Sequence, residues 1–93
     1  MKKVDRNQSL IVRDLRRIGA IVQSTAELGK GMPDILVAWK GRNFLFEIKD
    51  PMQPPSKQRL TPHEKEFHQI WKTCGQVDVI RTTEEALEIM QCE

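Results

Sequence analysis

Two apolar, aromatic-rich runs, Ile35-Leu36-Val37-Ala38-Trp39 and Phe44-Leu45-Phe46, stand either side of Lys40-Gly41-Arg42-Asn43 and constrain the fold more than any other part of the chain. Short β-prone runs parted by a glycine-containing turn predict an antiparallel hairpin. Glycine at the first central position suits a type II′ turn over Gly41-Arg42. Closing there pairs Lys40 with Asn43, Trp39 with Phe44, Leu36 with Glu47 and Asp34 with Lys49, and leaves Glu47 diagonal to Asp34. Strand residues two apart share a face, and diagonal neighbours sit about 7–8 Å apart. Asp34, Glu47 and Lys49 are therefore expected to point into one small region.

Two carboxylates and an ammonium gathered in this way are the minimum equipment for metal-assisted phosphodiester cleavage. Mg²⁺ takes oxygen ligands, keeps several waters and commonly uses one or two protein carboxylates with substrate phosphate. Asp34 and Glu47 offer those ligands, and the Ile48 carbonyl offers a third. A cation held there would polarise a phosphate and acidify a bound water, while Lys49 orients that water or offsets charge at phosphorus. Spacing alone leaves a plainer alternative open: an Asp34–Lys49 cross-strand ion pair worth roughly 0.2–1 kcal/mol, with Glu47 solvated.

The chain's 93 residues, 39% of them hydrophobic, suit one domain spanning 1–93 with a modest core. A dimer would relieve that limit. Net charge is only +2, but Lys2, Lys3, Arg6, Arg13, Arg16 and Arg17 crowd the first segment, which allows a polyanionic partner without demanding one. Cys74 and Cys92 show no zinc-ligand spacing and no disulfide framework, and read as reduced thiols with Cys74 in the core. The polar stretch after Met1-Lys2-Lys3 does not fit a signal peptide, and no run is long enough to span a membrane. A cytoplasmic protein is expected.

Ile11, Leu15, Ile18 and Val22 recur at helical spacing, predicting an amphipathic helix over about 8–19 that ends near Gly19, followed by a strand over 20–24. A glycine-rich loop then leads through Met32-Pro33 into the hairpin. Three prolines between residues 50 and 59 exclude regular structure there, and the segment reads as a lid beside the charged face. Thr61-Pro62-His63-Glu64 is a capping-box signature with proline at the first helical position, and Phe67, Ile70, Trp71 and Cys74 follow at core spacing. Gly75 stops that helix, residues 77–81 alternate as a strand, and Thr82 with Glu85 opens a last helix packed through Ala86, Leu87 and Met90. The expected order is α-β-β-β-α-β-α.

These residues together, from the helix around Ile11-Val12-Arg13-Asp14-Leu15 through Gly31-Met32-Pro33-Asp34 and Glu47-Ile48-Lys49 to Leu60-Thr61-Pro62, resemble a stand-alone VRR-NUC domain of the PD-(D/E)XK nuclease superfamily. The resemblance covers nearly the whole chain. It implies an α/β (α+β in some schemes) restriction-endonuclease-like core, α-β-β-β-α-β, with a mixed sheet and a C-terminal helix. It also implies Mg²⁺ or Mn²⁺ on Asp34 and Glu47, with Lys49 completing the site and no organic cofactor. Small stand-alone members, often from phages or bacteria, resemble Holliday-junction resolvases acting as homodimers on branched DNA. Two positions depart from the pattern. Gln8 stands where related resolvases often carry a glutamate, and Glu64 stands where many relatives carry glutamine. Glu64 can approach the metal or close the capping box.

Lys30, Lys57 and Arg59 flank the proposed site in loops, and together with Arg13 are candidate phosphate contacts, which position DNA without reading its sequence. His63 and His68 have no histidine partner at i+4 and read as surface helix residues. Trp39 and Trp71 read as core. Three functional classes remain: a metal-dependent, structure-specific endonuclease, an inactive DNA-binding module of the same fold, and a protein-interaction domain. The presence of Asp34, Glu47 and Lys49 together favours the first.

Overall fold

The computed structural model describes residues 6–92; Lys2 and Lys3 lie outside the described residues. Helix α1 (Arg6–Arg17) leads into strand β1 (Ile21–Ser24), a 3₁₀ turn over Ala26–Leu28, β2 (Ile35–Trp39) and β3 (Arg42–Ile48). A one-turn helix α2 (Pro55–Gln58) precedes α3 (Pro62–Trp71), β4 (Val77–Ile80) and α4 (Thr83–Gln91). The expected order holds, with α2 and the 3₁₀ turn added. The prolines of residues 50–59 do not exclude regular structure: Pro55 occupies the start of α2, where a missing N–H costs nothing.

The strands form one sheet in the order β1-β2-β3-β4, antiparallel between β1, β2 and β3 and parallel between β3 and β4. Val22, Ile35, Val37, Phe44, Phe46, Ile48 and Ile80 form a buried core with Ile11 and Leu15 of α1 and Ala86 and Met90 of α4. Trp39 packs against this core as expected. Phe44 and Phe46, two apart on β3 and so on one face, stack with ring centroids 5.9 Å apart.

The hairpin forms, but its turn lies at Lys40-Gly41 rather than Gly41-Arg42. Both residues have positive φ (48° and 79°), the signature of a type I′ turn, whose twist matches that of the flanking strands. Trp39 therefore pairs with Arg42, Val37 with Phe44 and Leu36 with Leu45, two residues out of the expected register. Arg42 is held as a strand residue by its contacts: its guanidinium lies over Phe44 and donates to the carbonyls of Met90 and Cys92 at the end of α4. A slip of two preserves which side chains share a face, whereas a slip of one would have turned every one over.

α3 begins as its sequence requires. Thr61 accepts from the Glu64 amide, Glu64 accepts from the Thr61 amide, and Pro62 opens the helix. Its inward face is not the expected one. His68 is buried, whereas Ile70 and Trp71 are 63% and 43% exposed and Cys74 is exposed. Glu64 is drawn inward to Lys49 at 2.8 Å, and His68, one turn later on the same face, follows it in. Trp71 instead stacks on Phe67 at 5.1 Å and folds over Gly75, where an added Cβ would lie 2.6 Å from the indole nitrogen.

The loop before β2 is fastened to the start of α3 through Gly31, whose φ is +81° and whose added Cβ would lie 2.1 Å from the His63 carbonyl oxygen. Gly31→Ala is therefore expected to destabilise the protein, combining backbone strain with a clash that side-chain movement cannot relieve. A loss of about 2 kcal/mol, seen as a fall in melting temperature of roughly 10 °C in a thermal scan, is the expected size.

Candidate active site

Asp34 lies just before β2, where three bonds fix its backbone and side chain. Its amide donates to the Phe46 carbonyl at 3.0 Å, its carbonyl accepts from the Thr25 amide at 2.9 Å, and its Oδ2 accepts from the Ile48 amide at 2.7 Å. Thr25 Oγ1 donates to the Pro33 carbonyl at 2.6 Å, which pins the residue before it. The carboxylate thus takes the place of a ladder carbonyl at the end of the β2–β3 pair. Both carboxylates are buried, Asp34 with 7% and Glu47 with 2% of its surface exposed.

Glu47 is held in an unfavourable setting. Burial raises its pKa to about 9, reinforced by a hydrogen bond with Asp34 and by the charges of Asp34 and Glu64, with Lys49 acting in the opposite direction. Its Oε1 is buried with no hydrogen-bond partner among the described residues. Lys49 Nζ lies 3.9 Å from Glu47 Oε2 and 2.8 Å from Glu64 Oε1. The same Glu64 oxygen accepts from the Thr61 amide at 2.9 Å. Glu64 thus closes the capping box, one of the two roles foreseen for it, and its carboxylate also pairs with Lys49.

The register expected from the sequence sets Asp34 opposite Lys49. The turn at Lys40-Gly41 instead brings Asp34 alongside Glu47, and the ammonium of Lys49 reaches towards α3. Gln8 is buried on α1 and lines a groove with Ile35, the residue after Asp34. Lys30, Lys57 and Arg59 are exposed, Lys30 beside His63, Phe67 and Trp71 on the flank of α3. Arg13 is half-exposed and pairs with Asp14 at 3.2 Å. His63 is exposed as expected, but His68 is not a surface residue. Burial lowers its pKa, and neither ring nitrogen has a hydrogen-bond partner among the described residues. Only its i+4 spacing from Glu64 could have signalled this. A further structural residue went unforeseen: Asn7 Nδ2 donates to the carbonyls of Lys49 and Arg81 at 2.9 and 3.0 Å.

No family model matches the chain, and no curated protein matches it. Among solved structures, one described as a VRR_NUC domain superposes with a TM-score of 0.64 over 92% of this chain and 91% of that one, at 24% sequence identity. The chain has the fold of a VRR_NUC domain. Its α+β architecture with a mixed four-stranded sheet is consistent with a restriction-endonuclease-like fold. On this VRR_NUC fold the two buried carboxylates stand at the C-terminal end of the β3 strand. No described helix is long and apolar enough to cross a membrane.

The residues present fit a hard divalent cation. Two buried carboxylates crowd together, one with an unsatisfied oxygen, and a cation beside them would supply the charge they lack. The described residues hold no cluster of three His, Cys, Asp or Glu side chains arranged for a metal, so further ligands would come from backbone, solvent or substrate. A strand residue presents its N–H and C=O to the same neighbour. The Ile48 carbonyl accordingly faces the side where its amide meets Asp34.

The raised Glu47 pKa has a stability consequence. The unfolded chain ionises this group above about 4.5 while the folded protein holds the proton until about 9, so the metal-free protein loses stability as pH rises through that interval. Glu47→Gln removes the penalty. In EDTA the variant should melt above the wild type, with a gap that widens from pH 5 to pH 8 in parallel thermal scans.

Proposed function

We propose that this protein is a metal-dependent endonuclease that hydrolyses phosphodiester bonds in branched DNA, with Holliday junctions a specific substrate and Mg²⁺ or Mn²⁺ as the cation. The observation that carries the reading is the pair of buried carboxylates, Asp34 and Glu47, forced together at a strand end with an orphaned oxygen and an ammonium 3.9 Å away. Such an arrangement lowers the stability of a metal-free fold and is hard to explain as packing. The VRR_NUC fold and the order of the motifs support it further.

Asp34, Glu47 and the Ile48 carbonyl would hold the cation. When bound, it supplies Lewis-acid charge to a phosphate and makes water a competent nucleophile at neutral pH. The chain's own residues do the rest. Asp34 is oriented by the Ile48 amide, so its carboxylate meets a ligand without rearrangement. Lys49, fixed by Glu64, places a positive charge where negative charge accumulates as the phosphorus is attacked. Glu64 is thus a positioning residue for Lys49 as well as a helix cap. Gln8, neutral where a carboxylate would add a ligand, limits the metal-binding set to the strand residues. The two exposed thiols, Cys74 and Cys92, suit a reducing compartment such as the cytoplasm.

End-labelled four-way junction, flap, nicked and linear duplex DNA, incubated with Mg²⁺ or Mn²⁺ and with EDTA, tests this reading. Metal-dependent cuts are expected in the branched substrates, falling about a hundredfold or more in Lys49→Ala. Tight, salt-sensitive junction binding by both proteins without cutting would instead mark an inactive DNA-binding module.

Symmetric cutting of a junction needs two active sites, and we propose that the active unit is a homodimer. The α3 flank of exposed Ile70 and Trp71 beside half-buried Phe67, with exposed Leu36 nearby on the sheet, is the apolar surface that favours it. Sedimentation should give a dimer for the wild type and a monomer for Ile70→Glu, with unchanged circular dichroism.

A further inference from the structure

α1 and the β1–β2 side of the sheet enclose a groove of about 630 Å³, within the usual size range of ligand sites. Half-buried Val12 lines it above a floor of buried Val22 and Ile35, Arg13, Arg16 and Arg17 line it with positive charge, and among the described residues no acidic side chain lines it. Ile35, which follows Asp34 in the chain, lines it together with Ser24, its cross-strand partner, and the buried Gln8 of α1. Two of the arginines are placed by local bonds, Arg16 donating to the Val22 carbonyl at 3.0 Å and Arg13 pairing with Asp14. Asp14 also accepts from Thr83 Oγ1 at 2.7 Å, so it keeps a partner when Arg13 turns to another anion.

We propose that this groove binds an unpaired nucleic-acid strand leading away from the scissile phosphate. The inference rests on the nuclease reading above and deepens it, because it makes a single-stranded segment next to the cut part of what is recognised. The arginine lining matches a polyanionic backbone. Val12 and the methylene stems of the lining arginines discriminate further. A duplex hides its base faces in the stack, whereas an unpaired strand can lay them against side chains while its phosphates meet the cations. Phosphate contacts of this kind position the strand without reading sequence. Ser9, exposed and lining the groove, marks where a larger side chain would fill it.

The experiment measures binding of fluorescent oligothymidylate and of a blunt duplex of equal length by anisotropy, in EDTA so that no cleavage intervenes. The wild type should prefer the single strand. Ser9→Trp, which fills the groove without changing charge, should weaken that binding about tenfold while circular dichroism stays at the wild-type level. Arg13→Ala/Arg17→Ala should flatten the dependence of log affinity on log salt by about 1.4, as expected for two lost contacts to a single strand. If Ser9→Trp does not fold, the salt slope of the double variant decides. Equal affinity for duplex and single strand would overturn the proposal, as would an unchanged slope, indifference to Ser9→Trp, or displacement by polyglutamate of matched charge. Groove-dependent binding without metal-dependent cutting would defeat the nuclease reading alone. Cutting by a protein whose binding ignores these substitutions would defeat this inference alone.

Discussion

The hydrogen bond from the Ile48 amide to Asp34 Oδ2 is the contact on which the charged end of the molecule depends. A hairpin ladder ordinarily continues from carbonyl to amide, and here a side chain takes over as acceptor just before β2 begins. This exchange of acceptor fixes the Asp34 carboxylate at the end of the central β2–β3 pair and holds the end of β3 against it. Glu47, the residue before Ile48, is thereby committed to the same buried region. Local backbone geometry imposes the proximity of the two acids, which their own electrostatics oppose.

That opposition is partly relieved from the same strand end. Lys49 brings a positive charge into the cluster but remains mostly buried itself, and Glu64 answers it at 2.8 Å. Glu64 is in turn anchored because its oxygen also closes the cap of α3. Helix initiation and the placement of the lysine are consequently one structural event. Gly31 completes the arrangement by letting the loop before Asp34 pass against the backbone of His63, which no side chain would permit. Hairpin, loop and helix meet through backbone contacts, leaving few degrees of freedom to the charged groups.

Much of this was legible in the sequence, for reasons that differ from one element to the next. The capping boxes at Thr61 and Thr82 are local, and each formed where its residues predict, although the Glu85 carboxylate reaches the Arg81 amide rather than that of Thr82. The site residues survived an incorrect register because the slip was even and side chains alternate with period two. The turn itself was misread because Lys40 adopts a positive φ that lysine rarely takes, a conformation secured by the strand contacts of Arg42 rather than by lysine's own preference. The orientation of α3 was beyond any periodicity argument. Its apolar residues predict one inward face, while a single ion pair from Glu64 to a distant strand turns His68 inward and leaves Trp71 outside.

Asn7 joins elements that the chain keeps far apart. β3 and β4 run parallel, and past Ile48 and Ile80 one side-chain amide bridges the carbonyls of Lys49 and Arg81 from the first turn of α1. Its amide acts as a spacer bar between two strand ends, setting the gap across which the lysine backbone leaves the sheet. The alignment of the ammonium thus depends on a residue 42 positions earlier that carries no charge. A conservative exchange at position 7 would alter the aim of Lys49 while leaving every charged group in place.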